Sequence, residues 1–182
     1  MKMNGDINKF YQYSFPMQAV LVTCNDNIGK TNIITIAWHT PISKKPPLYA
    51  ISVAPNRYSY DLIKNSKEFV VNFVPVDLVE KVHLCGIRSG RKTDKFDKCE
   101  FTILNSKKIN TPGIKECYAH LECKLYETKE LGDHFLFVGE VVNVSANKNA
   151  FDSALIRNDE IQPTYYIGGN KYTTIDKQRK EF

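Results

Sequence analysis

Residues 31–63 read TNIITIAWHTPISKKPPLYAISVAPNRYSYDLI, and their order is strand, turn, strand, helix start. Thr31 to Trp38 mixes β-branched and polar residues, which suits a strand. Pro41 and then Pro46-Pro47 break it. Leu48 to Val53 is an apolar run bounded by prolines and reads as a buried strand. Pro55 ends that strand. Ser59 stands where a helix N-cap belongs, ahead of Asp61, Leu62 and Ile63. The stretch therefore delivers Asn56, Arg57 and Ser59 to a point where helical N–H groups are free. Those donors and the positive end of the helix dipole suit a phosphate. Arg57 can add a forked, charge-assisted contact. The same residues also read as an ordinary capped helix with a surface arginine.

Outward from this stretch, the chain continues in strands. Gln18 to Cys24 precedes it and forms a hairpin with Thr31 to Trp38 across the turn Asn25-Asp26-Asn27-Ile28-Gly29. Glu68 to Val74, EFVVNFV, is nearly all β-formers. Asp77 and Glu80 resemble a capping box for a helix that places Leu78, Val79 and Val82 on one face and ends at Cys85-Gly86. Phe101 to Leu104 reads as a short strand and Pro112-Gly113 as a turn. Tyr118 to Thr128 and His134 to Ser145 are strands separated by Gly132-Asp133, with Gly139 marking a bulge or a close approach. Phe151 to Ile156 reads as a weak helix. Thr164 to Ile167 and Tyr172 to Ile175 are short strands around Gly168-Gly169. The tail KQRKEF is charged and reads as a mobile end. About seven or eight strands with two or three short helices favour a closed or packed antiparallel sheet over a parallel doubly wound one.

The chain has 182 residues, 42% hydrophobic and 25% charged, which suits one soluble domain over 1–182 with its core at about 15–175. A net charge of +5 permits an anionic partner without identifying one. No apolar run approaches the roughly 18 residues of a membrane span. The N-terminus lacks the apolar core of a signal peptide. Five cysteines with no C-x-x-C pair fit reduced thiols, and the expected location is cytoplasmic.

Three further clusters bear on chemistry. Arg88-Ser89-Gly90-Arg91-Lys92-Thr93-Asp94-Lys95 sets four cations around a glycine bend, with Ser89 and Thr93 as hydroxyl donors. Such a loop either wraps an anion or is a solvated basic surface. Gly132-Asp133-His134 sets an imidazole at the start of a strand beside a carboxylate that can orient it; it also reads as a plain hairpin turn. Cys117, His120 and Cys123 do not make a metal site: on a strand the cysteines share a face that His120 leaves, and no second ligand pair stands at zinc spacing. The chain has no G-x-G-x-x-G and no P-loop. The strand from Lys67 to Val74 lacks the glycine-type positions of an RNA-binding strand, so nucleic acid is not an expected partner.

In their order, PMQAVLVTC, GKTNIITIAWHTPIS, PPLYAISVAPNRYSYDLI, EFVVNFV, SGRKTDKF, ECYAHLEC and GDHFLFVGEV resemble the flavin reductase-like family, which includes flavoredoxins and archaeal ferric reductases. The resemblance runs from about Phe15 to Tyr172. It implies a mainly β fold, an FMN-binding split β-barrel of antiparallel, Greek-key-like strands with a few short helices, and a homodimer. It implies FMN contacts from Trp38, His39, Thr40 and Ser52 along the flavin. Asn56, Arg57 and Ser59 would lie at the phosphate or ribityl chain. Ser89, Gly90, Lys92 and Lys95 would form a second cationic side. Either Lys92 or Lys95 would set a positive charge beside the ring and favour its reduction. His134 resembles the family histidine at the open face, the one catalytic assignment, and Tyr165 or Tyr166 would cover the flavin. The implied activity is NAD(P)H-dependent reduction of flavin, with electrons passed to a ferric complex or free flavin. The alternative is an FMN electron carrier reduced by a redox protein partner.

Overall fold

The chain crosses from one edge of its main sheet to the other in two residues, and this is what curls the sheet. In the computed structural model, which describes residues 3–26, 28–153 and 155–178, a 3-10 helix over Ile7–Ser14 leads into the first strands. These are β1 (Met17–Gln18), β2 (Val20–Asn25), β3 (Thr31–Ile36), β4 (His39–Lys44) and β5 (Pro47–Val53). There follow α1 (Tyr58–Ser66), β6 (Glu68–Phe73), a 3-10 turn (Val76–Leu78), α2 (Val79–Ile87), α3 (Lys95–Lys98), β7 (Ile103–Leu104) and β8 (Gly113–Ile114). The chain ends in β9 (Ala119–Leu131), β10 (His134–Ala146), β11 (Phe151–Asp152), β12 (Leu155–Ile156), β13 (Tyr165–Gly168) and β14 (Lys171–Thr173).

Seven strands form one antiparallel sheet in the order β3-β2-β6-β9-β10-β5-β4. Its edge strands β3 and β4 are joined only by Ala37 and Trp38, so the two edges meet and the sheet closes on itself. The Ser52 N–H donates to the Trp38 carbonyl at 2.9 Å and ties β5 to that seam.

The apolar pattern follows from burial on both faces. On β2, Val20, Val22 and Cys24 enter the barrel core with Ile51, Phe69 and Phe137. Leu21 turns outward into a second core with Ile33, Val82, Phe96 and Ile114, under α2 and α3. That is why residues 19–22 read as a continuous apolar run rather than an alternating one. Gly139 is a close approach: a Cβ there would lie 2.6 Å from Phe69 Cζ and 2.7 Å from Cys123 Cβ, and the β9–β10 register shifts at this point.

Several local expectations change. Arg57, not Ser59, is the N-cap residue of α1, and Ser59 is buried in its first turn. Asp77 lies in the 3-10 turn, so no capping box forms; α2 starts at Val79 without a side-chain cap and runs to Ile87. The helix expected at Phe151 to Ile156 is instead a two-stranded hairpin, β11–β12, with Ala154 outside the described residues. Asn27 of the expected turn and all but Lys177 and Gln178 of the tail also lie outside them. Cys117 packs in the outer core and Cys123 in the barrel core, so they do not share a face. No helix among the described residues is long and apolar enough to cross a membrane.

Candidate functional site

Two adjoining pockets lie along the seam, and they sort the expected residues. The first is small, about 120 Å³, and is lined by Asn56, Arg57 and Ser59 at the start of α1 and by Arg88, Ser89, Gly90 and Lys95 from the basic segment. Arg57, Arg88 and Lys95 supply three positive charges, and no lining residue is a carboxylate. The second, about 210 Å³, runs from Thr35 to Trp38 on one side and Ser52 to Ala54 on the other, with His134 at its rim. Ile34, Arg57 and Gly86 belong to both pockets.

The segment Asp94-Lys95-Phe96 shows how sequence builds the cationic pocket. Asp94 caps α3, its Oδ1 accepting from the N–H groups of Phe96 at 3.0 Å and Asp97 at 3.2 Å. Phe96 enters the outer core. Lys95 is thereby turned inward and is only 4% exposed. Its ammonium donates to the carbonyls of Ile33 at 2.5 Å and Cys85 at 2.8 Å. An ammonium has three donors, so one remains uncommitted. Burial pushes the Lys95 pKa below the usual lysine value. A cation held in this way, with no carboxylate beside it, is stabilised by an anion in the pocket.

The other cations of the basic segment divide by geometry. Arg91 pairs with Asp61 at 2.8 Å and lies over the Tyr58 ring, 4.9 Å from its centroid. It anchors the loop to α1. Lys92 is exposed and outside both pockets. Gly90 serves close approach rather than bending: a Cβ there would stand 1.9 Å from Asn32 Oδ1. Asn32, a buried amide in the first pocket that sequence reasoning missed, donates from Nδ2 to Ser59 Oγ at 2.8 Å. Its only signal was an amide within a strand otherwise of β-branched residues.

In the second pocket Trp38 and His134 are neighbours, with ring centroids 5.0 Å apart and planes tilted by 38°. His134 Nδ1 donates to Asp133 Oδ1 at 2.8 Å. That hydrogen bond holds the exposed Asp133 carboxyl below its usual pKa. Tyr166 lines a further hollow of about 210 Å³ beside Thr35, Ala37 and Gly86, where it packs on Phe15 and Tyr172. Tyr165 lines none of these spaces. His39 and Thr40 leave the seam pockets and line a separate cavity, to which Trp38 and Ser52 also contribute. Among the described residues no cluster of His, Cys, Asp and Glu is arranged to hold a metal.

The closed seven-stranded sheet with its seam pockets defines a split-barrel protein of the flavin reductase-like fold. The chain belongs to the flavin reductase-like family: residues 12–174 match the model of the flavin reductase like domain. An uncharacterised protein of Archaeoglobus fulgidus is 36% identical over 143 residues, covering 79% of this chain and 80% of that protein. A flavoredoxin from Methanosarcina acetivorans superposes with a TM-score of 0.88 at 27% identity, covering 100% of this chain and 95% of its own. An FMN-binding protein from Thermus thermophilus, with 1-cyclohex-2-enone bound, gives 0.83 at 26% identity, covering 100% and 98%.

Proposed function

We propose that the chain binds FMN along the seam and acts as an NAD(P)H-dependent oxidoreductase that passes electrons to an acceptor such as a ferric complex. The observation that carries this reading is the junction at Arg57. A cation-lined pocket of about 120 Å³ opens there into a pocket walled by Trp38 and His134.

A bound FMN supplies the hydride and electron chemistry. The chain's own residues then have separate tasks. Arg57, Arg88 and Lys95 hold the phosphate, with the Ser89 hydroxyl and Asn56 amide as further donors. Asn32 fixes Ser59, and Gly90 lets the loop close over both. Ser52 and Trp38 border the ring. His134, oriented by Asp133, stands at the mouth where a reductant approaches. Lys95, rather than Lys92, carries the positive charge within the site. The homodimer belongs to this reading: the 3-10 helix buries none of its residues and leaves Ile7, Phe10 and Tyr13 exposed for a second copy to cover. All five cysteines are free and buried, which supports a reducing compartment such as the cytoplasm.

The test is a visible spectrum of the protein after FMN is added and excess removed, followed by anaerobic addition of NADH or NADPH. A retained flavin spectrum that bleaches with either nucleotide supports the proposal. A retained flavin that neither nucleotide bleaches favours the second reading, an electron carrier served by a redox protein, which the likeness to a flavoredoxin supports. A protein that neither retains FMN nor turns it over as a substrate overturns both.

A further inference from the structure

Arg88, Ser89 and Gly90 form one wall of the cationic pocket, and Asn56, Arg57 and Ser59 at the start of α1 form another. Arg91 does not line the pocket but bridges these two walls from outside it. Tyr58 and Asp61 stand three residues apart on α1 and so share a face. The Arg91 guanidinium meets both. Its Nη2 donates to Asp61 Oδ2 at 2.8 Å, and its Cζ lies 4.9 Å from the Tyr58 ring centroid.

The basic loop is folded on Ser89. The Ser89 carbonyl accepts from the N–H groups of Lys92 and Thr93, each at 3.1 Å, and its hydroxyl oxygen accepts from the Arg91 N–H at 3.3 Å. Both ends are fixed: the Arg88 N–H donates to the Leu84 carbonyl at 3.0 Å, and Asp94 caps α3. The loop is therefore a short strap between α2 and α3, and Arg91 ties it to α1. The tie is weak enough to open. The Arg91 and Asp61 side chains are 48% and 50% exposed, so water and salt screen the ion pair. The ring contact adds a similar amount, and together the two favour the closed strap by about tenfold. That is too little to hold the fold, but enough to set how fast a ligand under the strap leaves.

We propose that Arg91 is a positioning residue that latches this strap over the phosphate, so that FMN is retained through turnover as a prosthetic group. Electrons then leave on an acceptor that comes to the protein, not on a departing flavin. This inference rests on the FMN reading of the pocket and says how that site holds its ligand.

The test is stopped-flow fluorescence of FMN association with the full chain, and of FMN release on dilution. The wild type is expected to release FMN at least about tenfold more slowly than a typical turnover of about 10 per second. Arg91→Ala is expected to release FMN about tenfold faster and also to bind it several-fold faster. The sign of the second change is diagnostic. Loss of an attracting cation slows association of an anion, and loss of packing alone leaves it unchanged, whereas an open strap speeds it. Arg91→Lys keeps the charge without the planar stack and is expected to fall between. Adding Asp61→Asn to Arg91→Ala is expected to change release by less than about twofold, since its partner is already gone. Without ligand, hydrogen exchange at the Lys92 and Thr93 amides is expected to quicken about tenfold in Arg91→Ala. Unchanged release, faster release without faster association, or unchanged exchange overturns the latch. Wild-type release as fast as turnover overturns the retention. A protein that binds no FMN removes the flavin reading and this inference together; bound FMN with wild-type rates in Arg91→Ala removes this inference alone.

Discussion

Asn32 and Gly90 approach so closely that a Cβ on Gly90 would stand 1.9 Å from the Asn32 amide oxygen and 3.0 Å from Tyr58 Cδ1. The contact joins β3 to the basic loop, and through the Asn32–Ser59 hydrogen bond it reaches α1. Two opposing effects decide the outcome of Gly90→Ala. Restricting the unfolded chain gains about 0.4–1 kcal/mol. Forcing a methyl into filled space costs about 1–3 kcal/mol. The clash wins. The variant is expected to melt several degrees lower and to bind FMN about tenfold more weakly, because Asn32 must move off Ser59. Calorimetric melting and a flavin titration check both; unchanged melting and affinity together would show that the loop tolerates the methyl.

The lysines separate sharply. Lys95 is buried in the cationic pocket, whereas Lys92 is exposed and outside it. A charge-assisted hydrogen bond contributes about 1.5–3 kcal/mol, so Lys95→Met is expected to weaken FMN about ten- to a hundredfold. An exposed cation is screened by water and salt. Lys92→Ala is therefore expected to leave affinity within about twofold. Similar losses in the two variants, measured by fluorescence titration of FMN, would mean that the loop is arranged differently around the ligand.

This distinction marks where sequence reading stops. Cations in a loop have no periodicity, so nothing local separates Lys92 from Lys95; the cap that Asp94 sets on α3 turns Lys95 inward. The strands were legible because β2, β3 and β6 are rich in β-branched and aromatic residues and β5 is an apolar run bounded by prolines, and the clustering of Asn56, Arg57 and Ser59 followed from Pro55 and the helix start. A closed or packed antiparallel sheet was legible too, from the number of strands and their turns, and the resemblance implied the barrel; the strand order was not, because it depends on pairing between β6 and β9, a contact remote in sequence that no local pattern encodes. The two-residue strands β11 and β12 carry too little pattern to be told from one helical turn. That His39 stands outside the seam pockets was not legible for a related reason. It follows Trp38 directly, but alternation along β4 and its bond to Tyr49 carry it into the neighbouring cavity.

Acid is expected to weaken the fold through its buried histidines. Burial, the largest cause in each case, lowers the pKa of His120 and His39 below the ordinary 6.5. In the unfolded chain both protonate near the ordinary value, so below it the unfolded state binds more protons than the folded one. Stability is fully present above pH 6.5 and falls as pH drops through and below that value. His120 donates from Nε2 to the Ile114 carbonyl at 2.8 Å, a bond the Gln side-chain amide can supply. His120→Gln is therefore expected to flatten the pH dependence of urea unfolding between about pH 7 and 5, and His39→Gln to remove a further share. A wild-type slope in both variants would assign the acid sensitivity to other groups.

His134 is the side chain on which the proposed chemistry depends most. It opens β10 at the rim of the seam, its ring 5.0 Å from Trp38 and its Nδ1 bonded to Asp133. None of these contacts reaches the cationic pocket, so its removal should act on reduction more than on binding. His134→Ala is expected to keep FMN affinity within about threefold and to slow anaerobic reduction by NAD(P)H at least about tenfold, a rise of about 1.4 kcal/mol in the barrier. Asp133→Asn keeps the ring and loses only the charged acceptor that orients it, so an intermediate rate is expected. Stopped-flow bleaching of the flavin reads both variants. Wild-type rates in His134→Ala would place the reductant elsewhere along the seam. A loss of affinity as large as the loss of rate would make His134 a binding residue, with the histidine packing on the bound ring rather than serving its reduction.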